Sequence, residues 1–223
     1  WRVLKKRADV SNTSEEAIFT MQGILTLKDM PPILEKPRIS HQRIKYLHQS
    51  ITLSGLGSPT FEQVILAAQE IYGHFDRQFT EGTLESWNNS PENSMALNIS
   101  NRYLTPQTEA GAQPSIPFFK GVDPRNILKN LSRGDLSQAH IHTEDNQVQY
   151  FVLHRGRAGE CKYEECEPQQ FRIGDIVQVQ MSFVAVPIKG GMHKMLTVLR
   201  LIALLDGSFT TVSNIKSTIH MKN

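Results

Sequence analysis

The stretch His140-Ile141-His142-Thr143-Glu144 holds the residue types most able to do chemistry in this chain. In an extended strand, side chains two apart point the same way, so His140, His142 and Glu144 would line one face at about 7 Å spacing. Two imidazoles and a carboxylate are ligands for a transition metal. Adding His193 to His142 and Glu144 gives the two-histidine, one-carboxylate set that leaves open positions on non-haem Fe(II).

The HxE spacing resembles that of the 2-oxoglutarate-dependent oxygenases, which implies a double-stranded β-helix and makes Arg200 an anchor for the oxo-acid carboxylate. Two physical objections stand against it. His193 and Arg200 are an odd number apart, so on one regular strand they face opposite sides, and only a bulge reconciles them. That fold also needs several strands before the first histidine, where the pattern reads as helix and polar linker. The preferred reading is a turn feeding a strand, because Asp and Asn side chains bond their own backbone there.

A second kind of chemistry is phosphate contact. Residues 1–48 carry nine Lys or Arg against five acids, while the rest of the chain has 15 against 17. The arm at 1–7, with Arg2, Lys5, Lys6 and Arg7, suits phosphate neutralisation. So does a basic, glycine-containing turn with Arg155, Arg157 and Lys162, where Tyr150 or Phe151 would be available for stacking. Cys161 and Cys166 make half a zinc site at most, even with His154 nearby, and read as two isolated thiols. No phosphate-binding GxxxxGK[ST] loop, GxGxxG turn or GxSxG elbow occurs. The sequence specifies no cofactor.

The elements that must position these residues divide into three regions. Residues 1–81 read as helical: Ser14 caps a helix with Ile18, Met21 and Leu25 at helical spacing, a second helix covers 41–50, and a third opens on Pro59 with a Thr60–Gln63 capping box and a stripe from Phe61 to Phe79. Residues 82–121 are rich in Asn, Ser, Thr, Pro and Gln and read as a polar linker or long loop. Residues 122–223 begin with a short helix capped by Asp123-Pro124. They continue as an antiparallel β domain with strands at 147–154, 176–186, 193–205 and 208–212. The fold expected is α+β, a helical N-terminal half and an antiparallel barrel or sandwich in the C-terminal half.

At "HTEDNQVQYF", "FRIGDIVQVQMSFVAVPIKGGMHKM" and "LRLIALLDGSFT" the chain resembles the tail segments of large multicopy families of uncharacterised proteins in mushroom-forming fungi. The resemblance covers roughly residues 120–212 and implies a fungal source in the neighbourhood of mobile elements. It carries no activity and no functional residue. No apolar run reaches membrane-spanning length, and a chain opening on Trp1 reads as part of something longer. Together these give an intracellular, nuclear or cytoplasmic, non-catalytic interaction module of a larger fungal protein. Its partner is a protein or nucleic acid, the latter met through the arm and the basic hairpin. The alternative is the Fe(II) oxygenase.

Overall fold

A computed structural model describes residues 2–4, 15–88, 95–132, 139–156 and 159–210. Its centre is a closed ring of five strands. These are β2 (Phe19–Asp29), β3 (His48–Ser54), β4 (Ala96–Arg102), β9 (Ile176–Pro187) and β10 (His193–Asp206). The ring runs β9-β2-β3-β4-β10 and shuts through β9–β10. Every pairing is antiparallel except β4–β10, which is parallel at Val198 and Ser100.

The ring closes where few ladder bonds exist, so side chains complete it. Thr197 donates to the Asn98 carbonyl at 2.5 Å, and Asn101 Nδ2 donates to the Leu199 carbonyl at 3.0 Å. Inside stand Leu25, Ile51, Leu53, Leu97, Ile99, Val177, Val179, Met181, Phe183, Leu199 and Ile202, all buried. Each such side chain contributes roughly 1.5–3 kcal/mol when taken from water.

One helix, α1 (Pro59–Asp76), covers an end of the ring with Phe61, Ile65, Ala68 and Phe75. Its N-cap is Ser58, with Pro59 at the first position, so the chain enters the helix two residues before the Thr60 expected. Phe61 lies so close to β2 that a Cβ at Gly23 would stand 3.0 Å from its ring and 3.2 Å from the Leu53 Cβ, so a side chain there would have to push its neighbours aside.

Between β4 and β9 the chain inserts a subdomain. It contains a small sheet of β5 (Thr105–Pro106) with β6 (His140–Ile141), the helices α2 (Gln107–Ala110) and α3 (Ile127–Leu131), and a hairpin of β7 (Gln149–Arg155) with β8 (Cys161–Glu165). β7 adds to the barrel wall parallel to β10, and a short β1 (Arg2–Val3) adds to β9. Asp123 does cap α3, accepting from the N–H groups of Ile127 and Lys129, although the N-cap backbone position is Asn126.

The expected helical N-terminal half is overturned. The protein is mostly β, and residues 19–29 are a barrel strand. Met21 and Leu25 are four apart, a spacing that satisfies a helical face and a strand face equally; pairing with β9 over Phe19 to Ile24 decides for the strand. The Ser14 cap lies outside the described residues. Residues 41–46 form a 3-10 turn that gives way to β3, whose Ile51 and Leu53 point inward. The polar region 82–121 supplies β4, a central strand whose inward Leu97 and Ile99 are flanked by outward Asn98 and Ser100. Strands do form near 147–154, 176–186 and 193–205, as β7, β9 and β10, but β7 runs parallel to β10 and both β9 and β10 share a barrel with β2, β3 and β4, so the expected antiparallel C-terminal half is corrected as well. Residues 208–210 are a helical turn, and 211–212 lie outside the described residues.

A five-stranded Greek-key barrel with this ring order is the OB-fold architecture. Here α1 interrupts the second and third barrel strands, and the subdomain interrupts the third and fourth.

Candidate nucleic-acid interface

The "HIHTEDN" stretch is a structural turn, buried at His140, His142, Thr143 and Asn146. Thr143 and Asn146 cap the 3-10 turn Glu144–Asn146 reciprocally, and the Asn146 side-chain oxygen accepts from the Thr143 amide and hydroxyl and from the Thr105 hydroxyl. The Asp145 carbonyl accepts from Asn101 Nδ2 at 3.0 Å and Arg200 Nη1 at 2.6 Å, which fastens the subdomain to the barrel.

The proposed triad is not assembled. His142 is buried, with Nδ1 2.8 Å from the Tyr103 carbonyl and its ring against Phe118, centroids 4.2 Å apart. Glu144 is exposed. His193 opens β10 against Phe79, at 4.3 Å between ring centroids. Among the described residues no group of three or more His, Cys, Asp or Glu side chains is placed to hold a metal ion. The bulge that would realign Arg200 with His193 does exist, between Leu199 and Leu201. Arg200 is nevertheless committed elsewhere, to Glu16, Ser182 and Asp145.

His142 carries a pH consequence. The carbonyl opposite Nδ1 requires the proton there, so Nε2 is bare, buried and without a hydrogen-bond partner. Burial holds the imidazole below its ordinary pKa of 6.5, opposed by the Tyr103 carbonyl. A histidine with a depressed folded pKa binds its proton more readily when unfolded, so its contribution to stability is full above 6.5 and is lost as pH falls below it. Unfolding in urea between pH 7.5 and 5.5 should therefore show stability declining toward acid by at most about 1.4 kcal/mol per pH unit, the limit for one proton. His142→Phe, which keeps the stack on Phe118, should flatten that part of the profile. An unchanged profile in the variant would place the proton uptake on another group.

The cysteines are apart in environment. Cys161 is exposed, whereas burial pushes the Cys166 thiol up to about 11. Arg155 and Lys162 are exposed on neighbouring strands of the β7–β8 hairpin, where Arg155 faces Cys161 and Lys162 faces His154. Arg157 and the arm residues Lys5, Lys6 and Arg7 lie outside the described residues; Arg2 lies in β1, paired with Ala185.

Among the described residues of the basic N-terminal stretch, Lys36, Arg38, Arg43 and Lys45 outnumber Glu35 on the loop joining β2 to β3. Lys36, Arg38 and Arg43 are exposed there, and Lys45 sits over the ring of Tyr46 at 5.3 Å from its centroid. Tyr46 is 61% exposed. None of these four bases has a carboxylate partner among the described residues. The loop is held from beneath: Ile44 is buried, Ile33 N–H donates to the Val122 carbonyl at 3.0 Å, and Arg125 donates to the Leu34 carbonyl at 2.8 Å.

Beyond the loop, β3 and β4 present a polar outer row in register, His48 opposite Arg102, Ser50 opposite Ser100 and Thr52 opposite Asn98. Asn98 Nδ2 donates to the Thr52 hydroxyl at 3.2 Å, and Arg102 pairs with Glu109 at 3.0 Å. Sequence reasoning noticed the charge asymmetry of residues 1–48 but assigned it to the arm. Lys36, Arg38, Arg43 and Lys45 were the overlooked part of that signal, because the first two fell between two expected helices and the last two within the second, and neither setting gave a reason to single them out.

Among the described residues no helix is long and apolar enough to cross a membrane. No protein-family model matches the chain, and no match is found among curated proteins.

Proposed function

We propose that this chain is a non-catalytic interaction module that holds single-stranded nucleic acid across the outer face of β3 and β4, beneath the loop of residues 30–47. The observation that carries the reading is the coincidence of that basic loop with the barrel topology. In OB-fold barrels the face of the second and third strands and the loop between the first two are where oligonucleotides bind, and at that loop this chain sets four bases with no carboxylate partner among the described residues. This warrant is an analogy of fold, joined to the local chemistry. Lys36, Arg38, Arg43 and Lys45 meet phosphates, and Tyr46 offers a ring for stacking. Ser50, Asn98 and Ser100 offer hydrogen-bond groups to bases or sugars. In the setting that the resemblance implies, the module belongs to a larger fungal protein near mobile elements.

The test is fluorescence polarisation with a labelled oligo-dT and a labelled oligo-U across a salt series. Four phosphate contacts to a single strand give a log–log slope of about −3. Replacing Lys36, Arg38, Arg43 and Lys45 together by alanine should flatten the slope and weaken binding at least about tenfold at low salt. Tyr46→Ala should cost about 1–3 kcal/mol of affinity. Replacing Arg155 and Lys162 should leave affinity within about twofold, since neither belongs to β3, β4 or the loop between β2 and β3. A flat salt response in the unaltered protein would sink the nucleic-acid reading and leave a protein-binding module.

A further inference from the structure

Arg102 stands at the corner where the basic loop meets the barrel face. It lies opposite His48 in the β3–β4 register, and the Tyr103 N–H beside it donates to the Leu47 carbonyl at 2.9 Å, so the end of β4 is tied to the end of the loop. Side chains directly opposite in an antiparallel pair project from the same face. Arg102 therefore continues the outward row of Ser50 with Ser100 and Thr52 with Asn98.

Unlike the four loop bases, Arg102 has a carboxylate: its Nη1 donates to Glu109 Oε2 at 3.0 Å. That acid comes from outside the barrel. It sits on α2, which its own neighbours hold in place: Gln107 N–H donates to the Ala139 carbonyl at 2.9 Å, Ala110 is buried, and Gln113 Nε2 donates to Asp145 Oδ2 at 2.8 Å. The inserted subdomain thus sets an anion at the edge of a face that would take another.

The pair suits exchange better than stability. It engages a single guanidinium nitrogen, and its side chains are 39% and 48% exposed, where an ion pair is weakly held and screened by salt. Arg200, at 16% exposed and with three partners, shows what a structural clasp looks like in the same protein. A phosphate presents two oxygens to the planar fork and is the stronger partner. We infer that Arg102 is a fifth phosphate-binding residue of this face and that Glu109 is its built-in competitor, displaced when a strand binds. The inference rests on the nucleic-acid reading of the β3–β4 face and adds to it a gate supplied by the subdomain.

The experiment repeats the salt series with labelled oligo-dT on the full chain, comparing Glu109→Gln, Arg102→Ala and the double variant. Glu109→Gln should bind about two- to fivefold tighter at low salt, the strength of an exposed pair that no longer has to be broken. Arg102→Ala should bind more weakly than the unaltered protein, with a log–log slope shallower by about 0.7, the share of one phosphate on a single strand. In the double variant the gain from Glu109→Gln should vanish, because no guanidinium is left to release. Should Arg102→Ala fail to fold, Arg102→Gln takes its place in both variants. Unchanged affinity in Glu109→Gln or an unchanged slope in Arg102→Ala would overturn the inference. So would a gain that persists in the double variant, because Glu109 would then act only as a general negative charge. Where the unaltered protein binds with steep salt dependence, each of these failures removes the gate and leaves the nucleic-acid reading standing; a flat salt response in the unaltered protein overturns both.

Discussion

Arg200→Ala is expected to lower the free energy of unfolding by about 3 kcal/mol, read from urea denaturation at neutral pH. The side chain sits at the bulge of β10 and is 16% exposed; its Nη2 meets Glu16 at 2.7 Å, Nη1 the Asp145 carbonyl at 2.6 Å and Nε the Ser182 hydroxyl at 3.3 Å. Those three partners belong to the segment entering β2, to the inserted turn and to β9. Removing the guanidinium strands the Glu16 carboxylate with no cation and takes one of two donors from Asp145. Breaking a buried pair from one side costs about 3–5 kcal/mol, and the partial exposure of Glu16 places this pair at the lower end. Glu16→Gln should cost less, because the amide oxygen still accepts. Arg200→Lys should recover only part, since an ammonium cannot serve three directions with the geometry of a planar fork. A variant as stable as the original would mean that Arg200 is free to serve a ligand, as the oxygenase reading required.

The second large effect is expected at Gly55, in the turn between β3 and α1. A Cβ there would stand 2.2 Å from the Cβ of Phe61 and 2.6 Å from its Cγ. Neither Cβ can rotate away, so Gly55→Ala must displace the start of the helix that covers the barrel. About 3 kcal/mol is expected, the upper part of the usual range for overpacking. Gly57→Ala is the control: at φ +87° it has nothing within 4 Å, so only the backbone strain of about 1–2 kcal/mol applies. Phe61→Ala cannot rescue Gly55→Ala, because the Cβ of residue 61 remains. The double variant should be less stable than either single one. A rescue would show that the ring, rather than the helix backbone, sets the close approach.

Several parts of the fold are legible in the residues. Val177, Val179 and Met181 alternate with Gln178 and Gln180, and β9 follows that alternation until Ser182, after which Phe183, Val184 and Ala185 are buried in succession. The stripe from Phe61 to Phe75 is a helix because its apolar residues recur at a period near 3.6 and do not alternate as a strand's would. The turn reading of "HTEDN" rests on the same local physics, with Thr143 and Asn146 closing a box that needs no distant partner.

What misled was spacing that serves two periods. Met21 and Leu25 fit either element, and the choice belongs to β9, about 150 residues further along the chain. β4 is equally invisible locally, since its polar neighbours on both sides match the composition of a loop until β3 and β10 supply partners. Composition determined the charge excess before residue 48, the absence of common nucleotide-binding motifs and the isolation of the two thiols. Tertiary structure decided that His142, Glu144 and His193 do not meet, that Arg200 is a clasp, and that four bases with no carboxylate partner among the described residues share one loop over a polar barrel face. The physical reason is that closing a barrel joins strands remote in sequence, and only that closure fixes which side chains point in, which point out and which stand together.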